Sequence, residues 1–419
     1  MLFSCDKIKN KKLSAGKKQS DFSFDLYDSV AAINSEDWNI ASVHGSEFLK
    51  IPYLSVLEKE RPDNMNFHYA VMYQNNRPAA IAYFQVIDLS SASFGSMIEQ
   101  DSTEFSCAIT RYLKKHLTNH LIQSADKANM RLLICGNTFI SGEHGFSCIP
   151  EIDKTEMFDA LADVIFQICS IEKTRCKISA ILIKDFYTSQ KNISDELKEF
   201  KYHDFLVEPN MIVNVNWKTF DEYLDAMSKK YRSRAKGIIK KGIELERKNF
   251  SAADINENAL QIQNLYNNVL LKASFRMAGL SAAYFTEMKK TLGDKFNFTA
   301  YYHDGKIIGF RTSFLLKDSI EAHFIGLNYE LNKELELYQN ILYDYVKDAI
   351  DNNRPQLFLG RTASEIKSNV GAEAYQLSCY VRHRNPLSNH IIKPFIDSIK
   401  PTEWIPRNPF KEVVMPVQY

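Results

Sequence analysis

Two apolar, aromatic-rich runs joined at Asp304-Gly305 constrain the fold more than any other feature of this chain. They read FNFTAYYHDGKIIGFRTSFLL and span residues 296–316. An Asp-Gly pair between alternating hydrophobic runs is a strong hairpin signal, because both residues of the tight turn take a positive φ. We therefore predict an antiparallel β-hairpin over this segment.

The residues after this hairpin continue as alternating strands and helices. A third predicted strand, IEAHFIGLNY, is followed by a predicted helix, ELELYQNILYDYVKDAI, and by a short buried strand, QLFLG. The segment GRTASEIKSNVG then predicts a second helix, and AYQLSCYVRHRN predicts a last strand. The predicted order is strand, strand, strand, helix, strand, helix, strand.

A weak internal repeat places a similar hairpin in the first half. The segment NFHYAVMYQNNRPAAIAYFQVIDL turns at Asn75-Asn76, about 230 residues earlier, and such a repeat suggests two copies of one fold. A chain of 419 residues also suits two domains. We predict a basic mobile tail over 1–22, domains over 23–208 and 209–392, and an irregular Pro-rich arm over 393–419.

Composition excludes several classes of protein. The formal net charge is +1, so a nucleic-acid partner is not expected. None of the seven cysteines forms a CxxC pair, and we expect neither a zinc ribbon nor any metal cofactor. The basic N-terminus lacks a following apolar core and no apolar run reaches about 18 residues, so we expect a cytoplasmic protein without a signal peptide or a spanning helix.

The segment GRTASEIKS is the most distinctive local motif. Thr362 and Glu365 have the spacing of a capping box, and Arg361 and Lys367 then lie near a helix N-terminus, which favours anions. These two cations, with Glu365, are candidates to hold a carboxylate, a phosphate or a sulfonate. The alternative for Glu365 is a capping carboxylate with no further role.

His323 stands in the predicted strand IEAHFIG. Strict alternation places Glu321, His323 and Ile325 on one face of the sheet and Ala322 and Phe324 on the other. An imidazole on a half-buried strand can accept a proton near neutral pH. The alternative is a histidine that is simply hydrogen-bonded inside the core.

Glu143 and His144 lie between two glycines in SGEHGF. Glycines allow tight turns close to a ligand, and a Glu-His pair on such a loop is a candidate base with its orienting partner. An ordinary surface loop explains the same pattern.

The segment SKKYRSRAKGIIKK predicts an unusually basic amphipathic helix. Its cations, among them Lys229, Lys230 and Arg232, are candidates to bind the phosphates of coenzyme A, the acidic surface of acyl carrier protein or anionic lipid. A solvated face, with the long side chains covering neighbouring apolar surface, is the alternative.

The predicted order of elements resembles the core of the GNAT (Gcn5-related) acyltransferase superfamily. The segments AHFIG, GRTASEIKS and GAEAYQLSCYVRHRN resemble its peptidoglycan-biosynthesis/FemAB-like branch, which includes bacterial ceramide synthases, lipid N-acyltransferases. This resemblance implies an α/β (α+β) fold with tandem GNAT-like (acyl-CoA N-acyltransferase) domains, in which mixed sheets are flanked by helices.

The same resemblance implies an enzyme that moves a long-chain acyl group from a thioester, on coenzyme A or on acyl carrier protein, to the amine of a sphingoid-type lipid. The cations of the basic tail and of the basic helix allow peripheral contact with an anionic membrane, here the inner membrane. In that mechanism His323 is the base, Arg361 and Lys367 hold an anion, Glu143 and His144 form a second polar pair, and Tyr338 donates a proton to the leaving thiolate.

One departure from the superfamily pattern limits these implications. Many members carry a Q/R-x-x-G-x-G/A loop that holds pyrophosphate, whereas this chain has LNYELNKELELYQN, with Glu330, Glu334 and Glu336. Standard acetyl-CoA binding is therefore not expected. Two alternatives stay open: aminoacyl or acetyl transfer to a peptidoglycan or polysaccharide precursor, and a non-catalytic GNAT-shaped binding module.

Overall fold

A computed structural model describes residues 22–89, 130–172, 177–272 and 279–411. The described residues divide into two compact units: the first contains 22–89, 130–172, 177–207 and 377–400, and the second contains 208–272, 279–376 and 401–411. The sequence also predicts a helix over residues 103–128, and this segment and nearly all of the basic tail lie outside the described residues.

Thirteen strands are present in the described residues. In chain order they are β1 Phe22–Tyr27, β2 Met65–Gln74, β3 Arg77–Leu89, β4 Met130–Cys135, β5 Phe146–Cys148, β6 Ile178–Tyr187, β7 His203–Asn214, β8 Glu246–Asn249, β9 Phe296–His303, β10 Lys306–Leu315, β11 Ser319–Leu327, β12 Gln356–Phe358 and β13 Glu373–His383.

The helices of the described residues follow the same chain order. They are α1 Ser35–Ser42, α2 Ile51–Lys59, α3 Lys154–Ile171, α4 Lys191–Ser194, α5 Phe220–Ala226, α6 Lys229–Lys241, α7 Ala252–Glu257, α8 Ala259–Lys272, α9 Ala282–Leu292, α10 Tyr329–Leu335, α11 Leu337–Asp351, α12 Ser364–Ser368 and α13 Pro386–Asp397.

The first unit is built on a mixed sheet with the strand order β1-β2-β3-β4-β6-β13. Strands β4 and β6 are parallel and are connected through α3, and the other neighbours are antiparallel. Helix α3 buries an apolar stripe against the sheet, with Met157, Leu161, Val164 and Ile168 at helical spacing. Apolar burial of this kind holds the helix on the sheet.

The second unit repeats this plan with the strand order β7-β12-β11-β10-β9-β8. Strands β11 and β12 are parallel and are connected through α10 and α11, and the other neighbours are antiparallel. The predicted class, mixed sheets flanked by helices in an α/β protein, is confirmed. Each unit therefore contains a hairpin, a third strand, a helical crossover and a parallel strand.

Both predicted hairpin turns are present. Asn75 and Asn76 have φ values of 52° and 61°, and Asp304 and Gly305 have values of 49° and 72°. Two consecutive positive φ values are the signature of the type I′ turn, whose twist matches that of the flanking strands. The repeat seen in the sequence is thus a repeat of local backbone geometry.

Two elements differ from the predictions. The single helix predicted after β11 is two helices, because Glu336 has a φ of 50° between α10 and α11. The arm predicted to be irregular begins with α13, whose start is capped by the Asn385 side chain. Pro386 is tolerated there because the first turn of a helix needs no N–H donor from it.

The segment 377–400 packs in the first unit, although we had assigned it to the second domain as far as residue 392. The reason is the register of β13. Its residues Leu377 to His383 pair with β6 between Tyr187 and Ala180, and α13 follows directly from that strand.

Candidate functional site

The sheet of the second unit opens at its parallel pair of strands. Strands β11 and β12 pair only from Ser319–Gln356 to Glu321–Phe358, and β11 continues to Leu327. Beyond Glu321, one edge of β11 has no strand partner in the described residues, and Ala322 to Ile325 are half-buried. We call this gap the β11–β12 opening.

A backbone amide of β11 is directed at this opening. The Phe324 amide donates to Thr312 Oγ1 at 2.9 Å and the Asn328 amide donates to the Ile308 carbonyl at 2.8 Å, both on β10. Successive amides of a regular strand point to opposite edges, and the pairing of β11 with β10 is regular from Ile325 to Leu327. The Ile325 amide therefore faces the opening, where it can donate to a carbonyl oxygen that gains negative charge.

A buried acid and a buried base lie beside the last paired residues of this opening. Glu321 and Lys367 are each 5% exposed. Burial raises the pKa of Glu321, and the positive charge of Lys367 partly offsets that rise. Burial lowers the pKa of Lys367 to about 7, and the negative charge of Glu321 opposes that fall. The two groups therefore exchange protons with their surroundings more readily than ordinary Glu and Lys side chains at neutral pH.

Lys367 is directed at its own loop. Its Nζ donates to the Arg361 carbonyl at 2.6 Å and to the Gly360 carbonyl at 3.2 Å. A neutral amine can make both bonds with its two hydrogens and keep its lone pair. Lys367 is thus a poor holder of a substrate anion and a suitable proton acceptor.

The turn before α12 is strained and lacks the predicted capping box. Gly360, Thr362 and Ala363 have φ values of 71°, 69° and 50°, and the helix begins without a side-chain cap. A left-handed Thr362 cannot cap the helix, so this prediction was wrong. Glu365 instead accepts hydrogen bonds from Arg407 Nε at 3.1 Å and Nη2 at 2.5 Å. Arg361 is half-buried in the same turn.

The predicted alternation of side chains on β11 fails at His323. Arg311 of β10 pairs with Ile325, but Ser313 pairs with Ala322, so β11 contains one extra residue. Such a bulge re-aims a side chain. The rings of His323 and Phe324 are consequently 4.1 Å apart between centroids, instead of on opposite faces.

His323 occupies an aromatic environment. Its ring centroid is 4.9 Å from that of Phe314 and 5.7 Å from that of Tyr284. Its Nδ1 is 3.4 Å from Thr312 Oγ1 and its Nε2 is 3.5 Å from the Tyr284 hydroxyl. Burial lowers the pKa of His323 to about 3. The imidazole is therefore neutral at pH 7 and is a weak base.

Tyr338, predicted to protonate the leaving thiolate, is half-buried on α11. Burial raises its pKa above the ordinary tyrosine value, so the hydroxyl keeps its proton at neutral pH and remains a donor. The neighbouring place that holds pyrophosphate in many GNAT proteins is the short helix α10. Asn328 Oδ1 accepts hydrogen bonds from the Glu330 and Leu331 amides there, so these donors serve the chain itself.

In the first unit, the corresponding gap between parallel strands is filled. Strand β4 ends at Cys135, opposite Ile183. The next residue of β6, Lys184, reaches across and donates to the Asn137 carbonyl at 2.7 Å. Lys184 Nζ also lies 2.6 Å from Asp185 Oδ2. The first unit thus closes this gap with its own side chains.

Glu143 and His144 are held within the first unit. A Glu143 oxygen accepts a hydrogen bond from the Tyr187 amide at 3.0 Å, and burial raises the pKa of Glu143. His144 Nε2 lies 3.0 Å from the Ser141 carbonyl, and burial lowers its pKa to about 4. The carboxylate and the imidazole make no hydrogen bond with each other in the described residues. The structure therefore does not bring them together as a base with its orienting partner.

Helix α6 carries the three basic candidates on its first turn. Lys229 and Lys230 are exposed, and Arg232 donates to Asp225 at 2.7 Å. Within the described residues, no hydrogen bond or ion pair joins these side chains to Glu321, His323 or Lys367. The structure thus separates the basic helix from the polar groups of the opening.

Sequence reasoning missed Glu321 and the Lys184–Asp185 pair. The available signal was a charged residue inside an otherwise apolar strand, as in IEAHFIG and CKISAILIKDF. In the part of the chain that the structure describes, no group of three His, Cys, Asp or Glu side chains suits a metal ion. No described helix is both long enough and apolar enough to cross a bilayer.

No family model matches the chain, and no curated protein matches it in sequence. Solved structures share its fold, among them FemX and a tandem GNAT protein. FemX is 10% identical, with a TM-score of 0.52 over 88% of this chain and 100% of FemX. A tandem GNAT protein from the clavulanic acid biosynthesis pathway is 8% identical, with a TM-score of 0.51 over 87% of this chain and 99% of its own. The predicted tandem GNAT-like fold is therefore confirmed.

Proposed function

We propose that this chain is an N-acyltransferase that moves a long-chain acyl group from a thioester to the amine of a sphingoid-type lipid. The observation that carries the proposal is the β11–β12 opening, with the Ile325 amide directed into it and the buried Glu321 and Lys367 beside it. This arrangement offers an oxyanion site and a proton acceptor at one place.

The reaction needs few groups from the protein. The amine nitrogen attacks the thioester carbonyl, the C–N bond forms, the C–S bond breaks, and the amine proton leaves. The Ile325 amide stabilises the negative charge on the carbonyl oxygen during the attack. Tyr338 keeps its proton at neutral pH and is our candidate to protonate the departing thiolate.

The Glu321–Lys367 pair is a better proton acceptor than His323. A base works best when its pKa lies near the operating pH, and burial lowers the pKa of Lys367 to about 7 but that of His323 to about 3. We therefore assign proton transfer to Lys367, with Glu321 as its charge partner. His323 instead forms part of an aromatic wall.

That wall supports a long acyl chain as the group transferred. Around His323 the second unit places aromatic rings on β9, β10, β11 and α9, among them Phe296, Phe314, Phe324, Tyr284 and Phe285. His323 and Phe324 are half-buried and the other rings are buried behind them, so an acyl chain in the opening would meet an aromatic lining of the kind that suits apolar ligands. Arg361, at the end of the same opening, is our candidate to hold an anionic group of the donor or acceptor.

A second candidate function is aminoacyl or acetyl transfer to a peptidoglycan or polysaccharide precursor. It is favoured by the likeness to FemX, which extends over the full FemX chain. The same β11–β12 opening would serve that reaction, because the attack on an activated carbonyl by an amine is common to both. The acceptor separates the two functions.

A product assay by mass spectrometry tests the proposal. Purified protein receives palmitoyl-CoA or palmitoyl-acyl carrier protein, with sphinganine or 3-ketosphinganine as the acceptor. We expect a new amide, and we expect Lys367→Met to lose about 100-fold or more of the rate. His323→Ala should lose much less, and Lys393→Met, at an exposed ion pair 2.8 Å long, should lose nothing.

Two results would redirect the interpretation. If folded protein forms no lipid amide with either donor but modifies sugar or peptide precursors, the second function replaces the first. If calorimetry detects no heat with any thioester, the chain is a GNAT-shaped binding module. An amide whose formation survives Lys367→Met but not His323→Ala would restore His323 as the base.

A further inference from the structure

The second unit has a strongly cationic surface that the proposed reaction does not use. Helix α6 runs from Lys229 to Lys241, and no acidic residue occurs from 229 to 243. Its narrow apolar side, with Ala235 and Ile238, is buried in the core of the second unit. Tyr231 and Ile239 also pack against that core, and the exposed residues of the helix face away from it.

Most cations on this helix have no acidic partner. Arg232 pairs with Asp225 at 2.7 Å and Lys241 pairs with Glu336 at 3.3 Å. Within the described part of the chain, five others are exposed and make no ion pair: Lys229, Lys230, Arg234, Lys236 and Lys240. Their charges are therefore available to an external anionic partner.

The five cations form one flat face. At 100° per residue they lie within an arc of about 160°, along a helix about 20 Å long. Inside the arc they are interleaved with Ser233 and Gly237, both exposed, and with Lys241, which pairs with Glu336. A basic helical face of this kind suits a broad surface that needs no fixed register.

An exposed apolar side chain stands at the end of this face. Ile243, just after the last lysine of α6, is 79% exposed. Basic residues combined with an exposed large aliphatic side chain are typical of segments that lie on anionic bilayers, where the cations meet phosphates and the apolar group enters the acyl boundary. An acidic protein surface would gain less from contact with one isolated isoleucine, because its charged side chains offer little apolar area to bury it.

We propose that α6 and Ile243 dock the second unit on a bilayer of anionic phospholipid. The five unpaired cations supply the attraction and Ile243 supplies a shallow apolar insertion. Docking of this kind is independent of any reaction, and it weakens at high salt because exposed charges are screened.

Vesicle cosedimentation of the full chain tests the proposal without any substrate. We expect binding to vesicles of phosphatidylglycerol and phosphatidylcholine in equal parts at low salt, and none to phosphatidylcholine alone. Lys236→Gln combined with Lys240→Gln should weaken binding about 30-fold, and Ile243→Ser about 10-fold. The matched control is Lys306→Gln with Lys317→Gln, two exposed lysines outside α6, which should change binding by less than about 3-fold.

Three outcomes would overturn the proposal. The first is no binding to the anionic vesicles at low salt, and the second is equal weakening by the α6 variant and the control variant. The third is capture of the wild-type chain by acyl carrier protein, lost in the α6 variant, without binding to vesicles. That result would assign the face to an acidic protein. Circular dichroism of each variant confirms that α6 still forms.

Discussion

Lys184 Nζ lies 2.6 Å from Asp185 Oδ2, and the two side chains are 3% and 0% exposed. Asp185 adopts a φ of 64°, and Cys379 Sγ donates to its other carboxylate oxygen at 3.4 Å. The pair fills, in the first unit, the gap between parallel strands that remains open in the second. Two copies of one fold thus differ at the place where a GNAT sheet separates.

Breaking this pair should destabilise the first unit strongly. Lys184→Met leaves the Asp185 carboxylate buried without its cation, and we expect the free energy of unfolding to fall by about 3–5 kcal/mol. Urea unfolding measures the change. Lys393→Met removes one half of an exposed pair, with Lys393 and Asp397 52% and 53% exposed, and should cost less than about 1 kcal/mol. Equal losses in the two variants would contradict the assignment.

Acid sensitivity should depend on His323. Burial lowers its folded pKa to about 3, below the unfolded value of about 6.5. Between these values the unfolded chain binds a proton that the folded chain lacks, so the free energy of unfolding falls as the pH drops from about 6.5 to about 3. His323→Phe should flatten this decline, as measured by urea unfolding at several pH values. An exposed histidine, His390, provides the control, and His390→Gln should leave the decline unchanged.

Relieving the backbone strain in the turn before α12 should raise stability and lower activity. Thr362 has a φ of 69°, which is unfavourable for a β-branched residue. Thr362→Gly should therefore raise the free energy of unfolding by about 1 kcal/mol and lower the rate of acyl transfer, because a looser turn positions Arg361 and Lys367 less well. Asn353→Gly is the matched control at a φ of 52°, since Asn already tolerates this conformation. A faster Thr362→Gly enzyme would contradict the role given to the turn.

Local signals explain what the sequence could predict. The Asn75-Asn76 and Asp304-Gly305 turns are determined by neighbouring residues alone, so both hairpins and the repeated plan of the sheets were predictable. Helix α13 was not predicted, because prolines such as Pro386 and Pro394 usually interrupt helices and therefore favour an irregular arm. A proline in the first turn is compatible with a helix when a residue such as Asn385 caps it.

The candidate site depends on contacts between residues distant in sequence. The bulge that turns His323 beside Phe324 is set by the register between β10 and β11, which alternation on one strand cannot reveal. Likewise, the local spacing of Glu365 indicates a capping box, whereas in the structure its carboxylate accepts hydrogen bonds from Arg407, 42 residues away. The electrostatic interaction between Glu321 and Lys367 was hidden for the same reason.

Lys367 should give the second unit a distinct dependence of stability on pH. Its folded pKa of about 7 lies below the unfolded value of about 10.4, so the unfolded chain holds an extra proton between them. The free energy of unfolding should therefore rise through this window, by up to about 5 kcal/mol. Glu321, whose pKa burial raises, acts in the opposite sense. The contribution of Glu321 to the free energy of unfolding falls as the pH rises from about 4.3 towards its folded pKa.

Urea unfolding of variants separates the two contributions. Lys367→Met should remove the rise in the free energy of unfolding that Lys367 causes and keep the fall that Glu321 causes, whereas Lys393→Met should change neither. Identical urea-unfolding profiles for Lys367→Met and wild type between pH 6 and 10 would mean that Lys367 stays charged in the folded chain, and would exclude it as the proton acceptor.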